Sequence, residues 1–192
     1  MIRRLLALAA LLGAGCTTLP PADAPLPPRS RIDAFAVEGR FALNSRSNGQ
    51  AAQQASGRLL WKHYTRTRET ILLMTPLGQG IAEVEIAADG SRLRTDDGRE
   101  YSAADGEALL REVTGQNLPL RRLADWLRAR GQARETDIHG RPLQIAENGW
   151  QIRYTYADAD PEALPTRLDL RYLDAEQEID LRLRLETWRT DP

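Results

Sequence analysis

The sequence has few of the residues that enzymes most often use for catalysis or metal binding. It contains one cysteine and two histidines in 192 residues, and His63 and His139 lie in separate segments without the spacing of metal ligands. It also has no Gly-x-Ser-x-Gly nucleophile motif and no glycine-rich phosphate loop. We therefore expect no enzyme activity, no metal site and no cofactor. Two carboxylates that converge in a polar cleft, as in glycoside hydrolases, are the remaining enzymatic alternative.

An excess of positive charge is also missing. Lysine and arginine number 26 against 27 acidic residues, and the two signs are interspersed along the chain. Nucleic-acid binders need a basic stripe or patch, so the charge pattern predicts no nucleic-acid partner. The hydrophobic fraction of 42% and the charged fraction of 28% are ordinary for a single globular domain.

The longest apolar run is too short to cross a bilayer. It is LLALAALLGAG, between the basic start MIRR and Cys16. A basic segment, a short apolar segment and small residues before a cleavage point predict a secretory signal over residues 1–15. The lone Cys16 makes this segment similar to a bacterial lipoprotein signal, in which the cysteine becomes the first residue and carries the acyl chains. Gly13 departs from that pattern, and an ordinary secreted protein is the alternative.

A proline-rich segment follows this lipid attachment site. Thr17 to Arg31 contains five prolines and has neither strand nor helix periodicity. At about 3.1 Å per residue, such a segment extends about 45 Å. We therefore predict a semi-rigid tether within residues 16–32 and a single domain over residues 33–192. By resemblance to lipoprotein sorting signals, Thr17 in place of an aspartate favours the outer membrane.

Most of the remaining chain alternates between apolar and polar residues, which is the period of a half-buried strand. The clearest examples are FAVEGRFAL, from Phe35 to Leu43, and EIDLRLRLETW near the C terminus. Asp-Gly pairs that begin at Asp89 and Asp97 predict tight hairpins. The polar stretch from Asn44 to Ser56 predicts a long mobile hairpin loop. The pattern as a whole indicates an antiparallel sheet with one apolar face.

Two segments in the middle of the chain have helical periodicity instead. SAADGEALLREVTG has Ser102 as its predicted N-cap and Gly115 as its stop. LPLRRLADWLRARG has Pro119 near its first turn and Gly131 as its stop. The sequence therefore predicts strands, then two amphipathic helices, then strands again.

One predicted turn has an apolar residue at its tip. In TPLGQG, between the strands TILLM and IAEVEIA, Leu77 stands where Asn, Asp or Ser is usual. Its neighbours Pro76 and Gly78 are predicted to shape the turn so that the leucine cannot fold back into the core. A leucine tucked under a neighbouring loop is the alternative.

Seven segments, taken together and in this order, resemble the LolB family of outer-membrane lipoprotein receptors. They are FAVEGRFAL, SGRLLWKH, ILLMTPLGQG, DDGREYSAADGEALLREVTGQNLPLRRLADWLRARG, NGWQIRYTY, LPTRLDLRY and a last strand ending in ETW. The resemblance covers essentially the whole domain after the tether. It implies a mainly β fold with a few α-helices: an incompletely closed antiparallel β-barrel of about eleven strands that encloses an apolar cavity, with helices covering the opening.

The resemblance also implies a function and its partners. A LolB-like protein is anchored in the outer membrane facing the periplasm, accepts acylated lipoprotein cargo from a soluble carrier of the LolA type, and inserts it into the inner leaflet. Its partners are then the carrier, the cargo and outer-membrane phospholipid, and a monomer suffices. Because the family has a protruding leucine in the matching loop, Pro76, Leu77 and Gly78 are expected to form a membrane insertion loop.

Cargo of this kind needs an apolar shelter. A sixteen-carbon acyl chain in water is unfavourable by about 12 kcal/mol, so free diffusion through the periplasm is excluded. The residues expected to line an acyl cavity are Trp61, Met74, Trp150, Tyr154, Leu181 and Leu183. A completely packed interior made of the same residues is the alternative, and the function would then be that of a structural lipoprotein that scaffolds the envelope. Arg40, Arg58 and Arg153 either orient the polar end of the cargo or are solvated strand residues.

Overall fold

The computed structural model describes residues 26–49 and 51–192. The predicted signal peptide, Cys16 and most of the tether lie outside the described residues. The described chain forms a short 3₁₀ turn (Arg29–Arg31), eleven strands and two helices. The strands are β1 (Phe35–Ser47), β2 (Gln53–Thr65), β3 (Arg68–Met74), β4 (Gly80–Ala87), β5 (Gly90–Thr95), β6 (Glu100–Ala103), β7 (Ala133–Thr136), β8 (Pro142–Glu147), β9 (Trp150–Thr155), β10 (Arg167–Leu173) and β11 (Gln177–Arg189). The helices are α1 (Gly106–Thr114) and α2 (Leu120–Leu127).

All eleven strands belong to one antiparallel sheet with the order β6-β5-β4-β3-β2-β1-β11-β10-β9-β8-β7. The two edges, β6 and β7, are joined in sequence by the helices. Helix α1 packs on β4, β5 and β6, and α2 contacts β8 and β9 through its tryptophan and arginine side chains. This confirms the predicted fold: mainly β, incompletely closed, with helices between the two edges of the sheet.

One face of the sheet is apolar and buried, and we call it the inner face. Strand β11 illustrates this alternation, because Ile179, Leu181, Leu183 and Leu185 are at most 7% exposed while the residues between them are exposed. Side chains from both halves of the sheet and from both helices join in one core cluster. The opposite, outer face carries most of the charged residues.

The entering chain and the β3–β4 turn lie at opposite ends of the strands. We call the end at which β1 begins the proximal end, and the opposite end the distal end. The chain enters at the proximal end, where the Arg29 N–H donates to the Glu162 carbonyl in the β9–β10 connection at 3.4 Å. Arg128 and Arg130, just after α2, donate to the carbonyl of Ile32 at 2.8 and 2.9 Å. The β3–β4 turn lies at the distal end.

Three local predictions from the sequence are wrong. The polar stretch from Asn44 to Ser56 is mostly strand, because backbone pairing of β1 with β2 and β11 continues through polar residues. The N-cap of α1 is Asp105, whose Oδ1 accepts from the Ala108 N–H at 2.8 Å, while Ser102 lies in β6. Helix α2 ends at Leu127, before the predicted stop at Gly131.

Candidate functional site

The β3–β4 turn holds Leu77 in solvent. The Gly78 N–H donates to the Thr75 carbonyl at 2.9 Å, and the Thr75 N–H donates to the Gln79 carbonyl at 2.8 Å. Gly78 has φ +90°, a conformation that glycine adopts without steric cost. Leu77 is 98% exposed, the largest exposed fraction among the large apolar residues of the described chain, and this excludes a leucine tucked under a loop. The turn therefore presents an apolar side chain at the distal end.

Five of the six predicted acyl-lining residues lie together on the inner face. They are 3–7% exposed and belong to the same core cluster: Trp61, Trp150, Tyr154, Leu181 and Leu183. Trp150 faces the helices, with its ring 5.9 Å from that of Trp126 in α2. The sixth residue, Met74, is only half-buried and is not packed against this cluster. Met74 follows the inner-face Leu73 and pairs with the outer-face Arg58, so alternation places its side chain on the outer face.

Tyr154 combines burial with an unused polar group. It is 6% exposed, and its hydroxyl has no hydrogen-bond partner among the described residues. Burial raises the pKa of Tyr154, so the hydroxyl stays protonated and can donate a hydrogen bond. An unpaired buried hydroxyl costs about 1–3 kcal/mol, and a group that accepted this hydrogen bond would recover part of that cost, about 0.5–1.5 kcal/mol after its own desolvation.

A buried carboxylate was not among the sequence predictions. Glu69 on β3 is 3% exposed and accepts a 2.7 Å hydrogen bond from the indole of Trp61. His63 Nδ1 lies 3.2 Å from the other carboxylate oxygen, in a geometry that makes no hydrogen bond. The sequence did contain a signal for its burial, because strand alternation puts Glu69 on the same face of β3 as the apolar Ile71 and Leu73. Glu69 therefore satisfies the polar edge of Trp61 inside the core.

Helix α2 closes the apolar interior and is held at its edge by charged groups. Arg122 pairs with Asp125 at 2.8 Å and with Glu147 of β8 at 2.5 Å. The hydrogen bond from Arg122 holds the pKa of Glu147 below its usual range. Arg128, 3% exposed, donates to the carbonyls of Ile32 and Asp33. These contacts tie α2 to β8 on one side and to the entering chain on the other.

The three arginines considered as cargo contacts do not face the interior. Arg40, Arg58 and Arg153 alternate with core residues and lie on the outer face of β1, β2 and β9. Arg40 forms a 2.9 Å ion pair with Glu186 there. A role for these residues in holding cargo on the inner face is therefore wrong, because one-residue alternation places their side chains on the other side of the sheet.

Other kinds of site are not found in the described part of the chain. Within residues 26–49 and 51–192, no group of three or more His, Cys, Asp and Glu residues could hold a metal ion. No helix in those residues is long and apolar enough to span a membrane.

Comparison with known proteins gives consistent matches. A family model described as outer membrane lipoprotein LolB matches residues 33–188. The chain is 44% identical to the outer-membrane lipoprotein LolB of Dechloromonas aromatica, over 100% of this chain and 99% of that protein. The protein of the same name from Azoarcus sp. (strain BH72) is 35% identical, over 97% and 95% of the two chains. Among solved structures, the LolA superfamily protein NE2245 from Nitrosomonas europaea aligns with a TM-score of 0.43 and 11% identity, over 83% of this chain and 86% of that chain.

Proposed function

Because the chain belongs to the LolB family of outer-membrane lipoproteins, we propose that it is a receptor that accepts other lipoproteins from a soluble periplasmic carrier of the LolA type. It then inserts them into the inner leaflet of the outer membrane. The receptor works as a monomer that faces the periplasm, held to the membrane by acyl chains on Cys16. Its partners are the carrier, the acylated cargo and outer-membrane phospholipid.

The observation that carries this proposal is the way in which the apolar inner face is covered. Only two helices, of nine and eight residues, lie between the edges of the sheet. Helices shorter than about 12–15 residues are marginal in water, so α1 and α2 depend on packing against the sheet. An acyl chain that displaces Trp126 or Leu127 from the inner face replaces one apolar contact with another. The helices can therefore yield to cargo at low cost.

The proposed cavity is a space that opens between the inner face and α2. Its walls are Trp61, Trp150, Leu181 and Leu183, all of which contribute to the core cluster when no cargo is bound. Met74 is not part of this lining, because it pairs with Arg58 and lies on the outer face. At about 0.8 kcal/mol per methylene, burial of a sixteen-carbon chain returns about 12 kcal/mol. That is enough to offset the loss of several helix contacts.

Tyr154 supplies a polar anchor within the proposed cavity. Its buried hydroxyl is a donor without a partner in the described residues, and lipoprotein acyl chains end in ester or amide carbonyls. A carbonyl that accepts from Tyr154 Oη would satisfy both groups. This would orient the head of the cargo without making its release slow.

Release of the cargo to the bilayer depends on the relative affinities of carrier, receptor and bilayer for the acyl chains, and on the Leu77 turn. The receptor must hold cargo more tightly than the carrier and more weakly than the bilayer, because the handover uses no nucleotide. Leu77, with Pro76 and Gly78 fixing its exposure, enters the bilayer surface and brings the mouth of the cavity to it. A buried leucine is worth about 1.5–3 kcal/mol, so this contact is reversible.

A transfer assay tests the proposal. The purified chain is mixed with a carrier loaded with labelled lipoprotein, and the label bound to each protein is measured before and after vesicles are added. We expect the label to move from the carrier to this chain and then to the vesicles. If the chain takes no label from the carrier and shows no saturable binding of a fluorescent acyl probe, it is a structural lipoprotein and the receptor proposal fails.

A further inference from the structure

The outer face carries four arginines in direct register across four neighbouring strands. Arg167 of β10 pairs with Arg184 of β11, Arg184 pairs with Arg40 of β1, and Arg40 pairs with Arg58 of β2. All four alternate with inner-face residues and therefore point outwards. We call these four residues the arginine row. Neighbouring strands are about 4.8 Å apart, so the row extends about 14 Å.

The arginine row is only partly neutralised by the protein itself. Arg167 pairs with Asp169 at 2.8 Å and Arg40 with Glu186 at 2.9 Å. Within the described residues, Arg184 and Arg58 have no ion pair. Like charges directly opposite each other on a sheet are destabilising, and the row has three such juxtapositions. An arrangement that costs stability at three adjacent positions indicates an external anionic partner.

The surface beside the row is also shaped to receive a polar group. A depression of about 570 Å³ lies on the outer face of β9, β10, β11 and β1. Its charged lining consists of four arginines and two carboxylates, namely Arg153, Arg167, Arg171, Arg182, Asp169 and Asp180, and so has a surplus of positive charge. Asp169 accepts from both Arg167 and Arg182 at 2.8–2.9 Å, which fixes the two guanidinium groups at its rim. Guanidinium groups bind phosphate in a bidentate geometry that a lysine cannot reproduce.

We propose that the arginine row docks the outer face onto phosphate headgroups of the anionic bilayer to which the chain is tethered. The chain is an outer-membrane lipoprotein, so this surface stays close to phospholipid headgroups at all times. An acidic protein partner would be met only transiently. Docking of the outer face requires the lipid anchor but no bound cargo. It can therefore be measured separately from cargo delivery.

The tether is long enough for this contact. Arg40 lies five residues along β1 from Phe35, or about 17 Å from the proximal end. Cys16 and Pro28 are twelve residue steps apart, and at about 3.1 Å per step a polyproline-type segment of that length would reach about 37 Å. The domain can therefore lie on its outer face while its anchor remains in the membrane.

Energy transfer from a dye on the outer face to a headgroup acceptor tests the proposal. Acylation uses the single cysteine of the chain, so an introduced cysteine is the only free thiol. The lipidated chain with Ser56→Cys, on the outer face of β2, is labelled and reconstituted in phosphatidylcholine vesicles with or without 30% phosphatidylglycerol. Glu112→Cys on α1 reports the opposite side of the molecule. We expect phosphatidylglycerol to raise transfer from position 56 more than from position 112, and 1 M NaCl to abolish the difference.

Arginine-to-glutamine variants test whether the arginine row causes the phosphatidylglycerol-dependent increase in energy transfer. Each arginine near an anionic surface changes binding about fivefold, so Arg58→Gln with Arg184→Gln should lower the ratio of docked to undocked domain about 30-fold. The double control Arg92→Gln with Arg134→Gln removes two arginines elsewhere and should leave the ratio unchanged. The row variant should be at least as thermally stable as the wild type, because it removes like-charge contacts, and this rules out misfolding as the cause.

Three results would overturn the proposal. One is equal transfer with and without phosphatidylglycerol, and another is an equal loss of docking in the row and control variants. The third is undiminished docking of the row variant combined with slower uptake of cargo from the carrier, which would make the surface a protein-docking face. Failure of cargo transfer by a chain that still docks would contradict the receptor function and leave the docking surface standing.

Discussion

The Leu77→Glu substitution gives the most direct test of how cargo leaves the receptor. The side chain is 98% exposed, so the change removes almost no contact within the domain. The free energy of unfolding should therefore change by less than about 0.5 kcal/mol. The inner face is unaltered, so the variant should accept cargo from the carrier as the wild type does.

The magnitude of the delivery defect follows from the lost leucine burial. Burying a leucine is worth about 1.5–3 kcal/mol, which corresponds to a factor of roughly 10 to 150 in the population of membrane-bound turn. Glutamate must also be desolvated to enter the bilayer surface, which lowers that population further. We expect delivery from a preformed receptor–cargo complex to vesicles to slow by at least about tenfold.

Ile138 provides the matched control for this experiment. It is 95% exposed at the β7–β8 turn, which lies at the proximal end of the sheet and therefore opposite Leu77. Ile138→Glu changes the same amount of exposed apolar surface and the same charge. It should deliver cargo at the wild-type rate. A Leu77→Glu variant with normal delivery, or an equal defect in both variants, would refute a specific role for the distal turn.

Three further changes test the anchor, the cavity and the sheet. Cys16→Ala should leave more delivery activity than the Leu77 variant as long as export continues, because in the proposed mechanism the turn performs the insertion step and the anchor only keeps the domain near the membrane; complementation in cells measures this. Tyr154→Phe should keep or raise the melting temperature, because it removes an unpaired buried hydroxyl, yet lower cargo affinity by about 2- to 12-fold; equal affinity would contradict the proposed anchor. Gly39→Ala should destabilise the domain by about 1–3 kcal/mol in urea unfolding, since its Cβ would clash with the Arg184 carbonyl oxygen of β11. Gly80→Ala meets open space and should be neutral.

The parts of the fold that the sequence predicted are those with a strong period. Leu181 and Leu183 alternate with charged residues, and the pleat of a strand then decides which side is buried. The β3–β4 turn was predictable because Pro76 fixes the backbone before Leu77 and Gly78 allows the positive φ after it. In both cases the residues that determine the structure are adjacent in sequence, so the prediction needs no knowledge of the residues that pack around them.

The missed elements depend on neighbours. Strand β7 was not recognised, since its four residues Ala133–Thr136 are mostly exposed and show no alternation. The ends of β1 and β2 were assigned to a loop because their side chains are polar, although backbone hydrogen bonds pair them. The acyl-lining predictions divided for a similar reason: Met74 pairs with the outer-face Arg58 and is one residue out of phase with the inner-face Leu73.

The arginine row could not be predicted at all from one sequence. Its four members are separated by as many as 144 positions along the chain, and each is followed or preceded by apolar residues typical of an ordinary strand. The charges are interspersed along the sequence, so no basic run is visible there. The strand register nevertheless brings together arginines that are far apart in sequence. A surface of this kind depends on how the strands pair and cannot be identified from any single segment of the sequence.

The positions of the tether, the arginine row and Leu77 along the sheet restrict how delivery can occur. The tether enters at the proximal end, while Leu77 lies on the distal side of Met74, the last residue of β3, which is in register with Arg58 and Arg40 of the arginine row. A domain that stood upright on its tether would therefore point Leu77 away from its own membrane. In the proposed docked orientation the strands lie along the bilayer, and a tilt about the arginine row lowers the distal turn into it. Under both proposals, a weak electrostatic contact at the arginine row and a weak apolar contact at the distal turn would keep the receptor at the membrane, and neither contact alone is strong enough to hold the domain in one orientation.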